Sequence, residues 1–462
     1  MNASRRSVFA LLLAAPLAAC SLTPALPPPA VAVPAQWSVA EGAGVAEPAG
    51  VWWRAYGSAE LDALIDSALA ANHDLAAAVA RIEQSRAAMR SARAALLPAA
   101  QLSASAGRDR RREEGVNSYS DDNQAGVSIS YELDLFGGNA ATADAAAARL
   151  ASRQFARDQV ALVLQADVAN AWFQHLALDE RLAIAHENLR AAEELLRLVT
   201  VRFDNGAVSA LDVAQQRTTL LNIQAQIPAL EQSRTETRNA LAVLLGRVPQ
   251  GFVVPAGTLD ALVLPQIRAG QPADLLLRRP DLRSAEAELL AANADIGAAR
   301  AALLPSLELS ASATALGVFD GGTTTVAGIA ASLAQTLFAG GRLRAQVALS
   351  EAARQELVEN YAQAVLNGLQ ETENALSAVE TGERRERLLE QAAEQAREAY
   401  RLASVRYESG AQDLLTVLDS LRSRLAADDS LVQARLARYV TSTDLVKALG
   451  GGWEAGLSGS TP

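Results

Sequence analysis

Polar and apolar residues alternate over two short stretches early in this chain and over two more past its middle. Leu102, Ala104 and Ala106 alternate with Ser103 and Ser105, and Val127, Ile129, Tyr131, Leu133 and Leu135 alternate with Ser128, Ser130, Glu132 and Asp134. Leu307, Leu309, Ala311 and Ala313 then alternate with Ser306, Glu308, Ser310 and Ser312, while Ala327, Ile329, Ala331, Leu333 and Leu337 carry a less regular fourth segment. A period of two with one polar face predicts strands. Segments of roughly 10–13 residues suit a small soluble sheet with one wet face, and they equally suit tilted strands crossing a bilayer. The shared face of Glu132 and Asp134 fits a polar lumen.

Between and after these segments the pattern turns helical. Leu182, Ala185, Leu189, Ala192, Leu196 and Val199 have heptad-like spacing, with a counterpart in Leu389, Ala392, Ala396, Ala399 and Ala403. No proline occurs between Gly138 and Gln226 or from Ser306 to Thr461. Helices over about 139–201 and 342–405 would each run about 95 Å at 1.5 Å per residue. Such heptads predict left-handed coiled-coil packing. Asn205-Gly206 and Ser409-Gly410 mark the turns, since glycine tolerates the left-handed conformation that closes a helix.

The two halves repeat each other. ARAALLP occurs as Ala92–Pro98 and Ala299–Pro305; proline disfavours helix in the residue before it, so each copy ends a helix just ahead of a strand. Asp74-Leu75 and LSAS from Leu102 recur at Asp281-Leu282 and Leu309, and Leu135-Phe136-Gly137-Gly138, Arg202-Phe203-Asp204-Asn205-Gly206 and Leu241…Leu245-Gly246 are echoed in the same order by Leu337-Phe338-Ala339-Gly340-Gly341, Arg406-Tyr407-Glu408-Ser409-Gly410 and Leu445…Leu449-Gly450, at offsets of 202 to 207 positions. A period this long means paired structural units, not a short-repeat solenoid. The expected organisation is a signal peptide over 1–19 and a Pro/Ala-rich tether over 20–50. A first repeat follows over 51–249, with helices about 58–97 and 139–246 and strands about 99–136. A linker spans 250–272. The second repeat covers 273–450, with helices about 273–304 and 342–449 and strands about 306–338, and a tail covers 451–462. The fold class is mainly α with a β-barrel. Four strands per chain cannot close a barrel and open edges are not tolerated in lipid, so the arithmetic asks for an oligomer; a trimer gives twelve strands.

Composition sharpens this. Half the residues are apolar but only 4% are aromatic, which suits close-packed Ala-rich helices more than a broad globular core. The net charge of −11 argues against nucleic acid. At the N-terminus, Arg5 and Arg6 precede an apolar run from Val8 to Leu17, as in a secretory signal. Leu17-Ala18-Ala19-Cys20 resembles a bacterial lipobox, which implies a lipid on the Cys20 sulfur; the alternative is an ordinary signal peptide with a chance cysteine. Cys20 is the chain's one cysteine and makes no internal disulfide. His73, His175 and His186 lack metal-ligand spacing and are expected to be exposed or capping. With no HExxH, Walker loop, GxSxG or SxxK, no enzyme activity and no cofactor are expected.

Several stretches resemble the outer membrane factor family, the TolC-type exit ducts of tripartite efflux pumps and type I secretion systems, and within it the lipoprotein, NodT-like branch that partners resistance-nodulation-division pumps. They are LLLRRPDLRSAEAELLAANADIGAARAALLPSLELSAS over 275–312, YELDLFGG over 131–138, QIPALE over 226–231, ALGGGW over 448–453 and VWWRAYG over 51–57. The resemblance implies a homotrimer in the outer membrane lipid, with a shared 12-stranded barrel, a 12-helix periplasmic tunnel and an equatorial belt bridged by 250–272. Pro228 would interrupt a helix near that belt. The implied partners are a periplasmic adaptor and an inner-membrane pump. The family's periplasmic gate maps onto Leu415, Asp419 and Arg422, four and three residues apart on one helix face; the alternative for Asp419 and Arg422 is a plain surface pair. The first repeat has Gln215 and Thr218 in their places. The tips bearing Arg202, Asp204, Gly206, Arg406, Glu408 and Gly410 are implied as adaptor contacts, with helix capping as the alternative reading. Rival functions are protein or peptide secretion and a non-conducting lipid-anchored scaffold.

Overall fold

The structure, a computed structural model, describes residues 22–26, 31–38, 50–317 and 322–451. Cys20, the signal segment and nearly all of the expected tail lie outside the described residues. In order, the chain forms α1 (Ala59–Ala71), α2 (His73–Ala94), β1 (Ala99–Glu113), β2 (Val116–Leu133), α3 (Gly138–Asp204), α4 (Ala210–Leu244), α5 (Leu275–Arg278) and α6 (Pro280–Ala301). It continues through β3 (Ser306–Leu316), β4 (Thr324–Ala334), α7 (Arg342–Glu408) and α8 (Leu414–Ala448). None of the described helices is long and apolar enough to cross a membrane. Two compact units result, one built on 79–156 and 281–364, the other on 32–78, 157–280 and 365 onward.

In the first unit both ARAALLP copies end a helix. The amides of Leu96 and Leu97 donate to carbonyls three residues back at 3.1 and 3.0 Å, and those of Leu303 and Leu304 repeat this at 3.1 and 2.9 Å. The last turn tightens in both cases, and a strand begins right after Pro98 and Pro305. The four strands form one antiparallel sheet in the order β1-β2-β3-β4. Their register sorts the alternation into two faces. Leu102, Val127, Ala313 and Ala327 form one rung, and Gln101, Ser128, Ser312 and Gly328 form the next. The apolar face is open: Leu102 is 78% exposed, Leu333 69% and Ile329 90%. On the polar face Glu132 stands directly opposite Glu308. Asp134 departs from the expected lumen role. It lies past the end of β2, where its carboxylate accepts from the amides of Asn139 at 3.2 Å and Ala140 at 2.8 Å. A side-chain oxygen at that place satisfies donors that the start of α3 would leave unpaired.

The second unit corrects three helix expectations. The helix expected over 58–97 breaks at Asn72, and the one over 273–304 breaks at Arg279, both in extended backbone. The breaks are equivalent. Asn72 Nδ2 donates to the Leu244 carbonyl at 3.0 Å, and Arg279 Nη1 donates to the Ala448 carbonyl at 3.0 Å, so each serves the C-terminus of its own repeat's return helix. Asn72 Oδ1 also accepts from the Leu75 amide at 3.0 Å, capping α2. The glycines after the return helices fit the same junctions: a Cβ on Gly246 would lie 2.3 Å from the Ala71 carbonyl oxygen, and one on Gly450 2.7 Å from that of Arg278. The third correction is Pro228, which sits inside an unbroken α4. Proline disfavours a helix interior by about 3 kcal/mol, but buried Ile223 and Ile227 anchor the turns before it.

The unit's core gathers the VWWRAYG segment against α3 and α8. Tyr56 is fully buried beside Phe173 and Tyr439, with its hydroxyl on Ser442 Oγ at 2.9 Å, while Trp52 Nε1 donates to Gln165 at 3.0 Å. In the α3 heptads Leu182, Ala185, Ala192 and Val199 are buried, whereas Ala392 and Ala399 of α7 are exposed in the single chain. The Pro/Ala-rich stretch, expected as a tether, docks in its described parts. Asn293 Nδ2 donates to the Pro24 carbonyl at 2.8 Å, and Trp37 Nε1 to that of Gly270 at 2.9 Å.

Candidate functional site: helix tips and the Leu415–Asp419–Arg422 face

Both tip turns end their long helices with the same hydrogen-bond pair. Gly206 and Gly410 have φ of +72° and +79°. The amides of Gly206 and Gly410 return to Phe203 and Tyr407 at 2.8 and 3.0 Å, and those of Ala207 and Ala411 to Arg202 and Arg406 at 2.8 Å each. A Cβ on either glycine would meet nothing within 4 Å, so it is backbone conformation that selects glycine here. The return helices start on side-chain caps. Ser209 and Asp212 form a reciprocal capping box, and Asp413 accepts from the Thr416 amide at 2.8 Å. Those bonds hold the Asp212 and Asp413 carboxyls below the ordinary carboxylate range.

The two tips of one chain are tied together. The Arg202 guanidinium lies 4.3 Å from the centre of the Tyr407 ring and donates to the carbonyls of Tyr407 and Glu408 at 2.8 and 2.9 Å. A half-buried cation–π contact of this kind contributes about 0.5–2 kcal/mol. Burial raises the Tyr407 hydroxyl's pKa while Arg202 opposes the rise. Arg202 therefore meets its own chain. Asp204, Arg406 and Glu408 are exposed.

The LTVLDSLR segment splits cleanly by face. Leu414, Val417, Leu418 and Leu421 are buried, the first three packed with Leu195, Val199, Ala403 and Tyr407. Leu415, Asp419 and Arg422 are exposed on the other side of α8, with Leu415 at 58%. Asp419 and Arg422 form an ion pair at 3.7 Å with both side chains about two-thirds exposed. Such a pair adds at most about 0.2–0.5 kcal/mol to the helix, so stability gives little reason for it. The first repeat supplies a residue that inspection of the motif alone missed. Leu211, 204 positions before Leu415, is 64% exposed at the same place on α4, and the repeat offset was the signal that pointed to it.

Farther along, α8 is clamped to its neighbours. Asp428, whose side chain is only 3% exposed, accepts from Arg397 Nε at 2.7 Å and faces Arg424 at 3.5 Å, while Arg424 reaches Glu187 at 2.5 Å. His175 departs from the exposed or capping role expected of it. It is 4% exposed on α3, lines a small cavity of about 160 Å³ with Arg234 and Arg238, and burial lowers its pKa. Among the described residues no group of three or more His, Cys, Asp or Glu side chains is placed to hold a metal ion.

A family model described as outer membrane efflux protein matches residues 64–247 and 272–451, one segment per repeat. The chain belongs to the outer membrane efflux protein family. It is 41% identical over 457 residues to the pyoverdine export outer membrane protein OpmQ of Pseudomonas aeruginosa, covering 96% of each chain. It is 34% identical to the outer membrane protein OprJ of the same organism over 468 residues, covering 98% of this chain and 97% of OprJ. Among solved structures it resembles the open state of the Neisseria gonorrhoeae MtrE outer membrane channel, with a TM-score of 0.84 and 31% identity over 94% of this chain and 98% of MtrE. The chain is thus an outer membrane efflux protein of mostly helical fold with a small set of strands. Its family and these relatives are channel and export proteins, not enzymes.

Proposed function

We propose that three copies of this chain form one efflux duct, closing a twelve-stranded barrel in the outer membrane and a twelve-helix tunnel below it. The observation that carries this is the sheet. It has an exposed apolar face, an opposite polar face, and two unpaired edges in β1 and β4. An open edge in lipid leaves backbone donors and acceptors unsatisfied, each at a cost of several kcal/mol. Pairing β4 of one copy with β1 of the next removes the open edges over the length of β3 and β4. The exposed Ala392 and Ala399 of α7 provide small-residue surfaces for helices of neighbouring copies. Small molecules delivered by an inner-membrane pump and a periplasmic adaptor leave through this duct, and a lipid on Cys20 adds a second attachment to the membrane.

The gate of this duct is the exposed face of α8. Threefold symmetry turns Asp419 into a ring of three carboxylates, which favours cations and repels anions, with Leu415 as an apolar ring beside it. Arg422 holds Asp419 in each copy. The adaptor meets the tips through Asp204, Arg406 and Glu408, while Arg202 keeps the two tips of each copy in register. In planar-bilayer recordings, Asp419→Ala with Arg422→Ala should raise single-trimer conductance and increase antibiotic entry into cells. Unchanged conductance from an intact trimer removes the gate assignment, and a wild-type trimer that never conducts removes the duct.

A further inference from the structure

We propose that Arg108, Arg110 and Arg112 form an outward-facing row that binds phosphate-bearing lipid headgroups of the outer leaflet. The inference rests on the barrel reading above and adds a ligand to it. β3 ends at Leu316, opposite Gln124, and the Gly317 amide adds one bond to the Asn123 carbonyl at 2.9 Å; beyond it, among the described residues, β1 and β2 pair with each other to the turn at Glu114-Gly115. Register fixes which face each side chain shares. From Leu102 opposite Val127 and Ala104 opposite Ala125, the same face runs on through Ala106 opposite Asn123. It continues with Arg108 opposite Asp121, Arg110 opposite Tyr119, and Arg112 opposite Asn117. The apolar, lipid-facing side of the sheet therefore becomes a row of arginines without changing face.

Depth places this row at the headgroups. Arg108 pairs with Asp121, twelve residues along β2 from Leu133 at the helix end of the sheet. At about 3.4 Å per residue that is about 41 Å of strand. A tilt near 40° reduces it to about 31 Å of membrane depth, just beyond the roughly 25 Å apolar band of an outer-membrane barrel. Arg110 and Arg112 then lie in the polar layer above. Tyr119, exposed on the same face with its ring 6.0 Å from the Arg110 guanidinium, occupies the level at which barrels carry aromatic girdles.

The charge on this face is unbalanced. Among the described residues its one carboxylate is Asp121, which Arg108 holds through Nε at 2.5 Å and Nη2 at 2.8 Å. Asp109, Glu113 and Asp122 have the opposite parity and project from the polar side. Arg110 Nε donates to Asn117 Oδ1 at 3.2 Å, which orients its guanidinium and leaves the terminal nitrogens forward. Successive arginines on one face stand about 7 Å apart, and a guanidinium fork matches phosphate oxygens two at a time. Arg110 and Arg112 can each fork onto one headgroup phosphate.

The test uses full-length trimer extracted in mild detergent and reconstituted with phosphatidylcholine alone or with added lipopolysaccharide. Retained lipopolysaccharide is then counted by native mass spectrometry, with free inorganic phosphate as a competitor. The double variant Arg110→Gln with Arg112→Gln should retain at least tenfold less glycolipid than wild type. Arg111→Gln removes the same kind of charge from the polar face of the same ribbon and should retain it fully. Equal retention by the double variant, equal loss in Arg111→Gln, or displacement by millimolar phosphate would each overturn the proposal. Conductance in phosphatidylcholine alone separates the two readings. Trimers that insert and conduct but show no arginine effect overturn the row and leave the barrel standing, whereas trimers that never insert overturn both.

Discussion

Arg279 offers the sharpest test of how the second repeat closes. Its side chain is 6% exposed, it donates to the last carbonyl of α8 at Ala448 from 3.0 Å, and it pairs with Glu371 at 2.8 Å. Gly368 lets it lie flat: a Cβ there would stand 3.3 Å from Arg279 Nε. The Glu371 side chain is 56% exposed, so that pair contributes at most about 1 kcal/mol. The charge-assisted bond to a helix-terminal carbonyl is worth about 1.5–3 kcal/mol, and a cation at a helix C-terminus adds about 0.3–1 kcal/mol. Arg279→Ala should therefore cost the local junction about 2–4 kcal/mol. Arg279→Lys keeps a charge but loses the planar fork and should cost about half as much. Hydrogen exchange of the 445–451 amides reads this directly. At a factor of ten per 1.4 kcal/mol, exchange should accelerate roughly 30- to 700-fold in Arg279→Ala. Glu371→Gln should change it little. If Arg279→Ala exchanges within threefold of wild type across 445–451, the junction is held by packing alone and the reasoning is wrong.

Three further outcomes follow from the same geometry. Asp134→Ala removes the cap on α3 and should destabilise the first turn by about 1 kcal/mol, seen as faster exchange at 139–142; Asp134→Asn should restore most of the protection. Asp428→Ala leaves Arg397 and Arg424 facing a buried gap and should lower the protein's melting temperature measurably. Asp428→Asn should be milder, because its amide oxygen still accepts from Arg397. His175 titrates below its ordinary value of 6.5 because burial disfavours the imidazolium, with Arg234 and Arg238 adding to burial and Asp179 opposing. The unfolded chain then binds the proton first, so the stabilisation is full above about pH 6.5 and is lost as pH falls toward the folded-state pKa. Denaturation followed from pH 7.5 to 5 should show a shallower slope in His175→Gln than in wild type, and identical slopes would remove the assignment.

The repeat and its grammar were legible because they rest on short-range signals. Proline after a helix, strict alternation in the strands and glycine at the tips each act within a few residues, and the duplication wrote each signal twice. The helix breaks at Asn72 and Arg279 were not legible, because what defines them is distant in sequence. Each side chain leaves its own helix to serve a carbonyl more than 160 positions away. Nothing within a window around Asn72 announces Leu244. Asp134 misled for a related reason. Its parity continues that of Glu132, but β2 has already ended, and the carboxylate answers to the amides of the next helix. Pro228 shows the reverse error, a local signal overruled by buried neighbours.

The tip and gate residues divide along the same line. Gly206 and Gly410 follow from backbone conformation alone and could be read from two residues of sequence. Arg202 could not. Its partners within the chain, Tyr407 and Glu408, are set by how α3 meets α7, about 205 positions away in sequence. Leu415, Asp419 and Arg422 are the opposite case. Within one chain they contact almost nothing that would hold them, although Val417, Leu418 and Leu421 one step around the helix are fully packed. A helix face that stability does not need, beside one that it does, points to partners beyond the chain. In the proposed trimer, three symmetry-related copies of that face surround one axis.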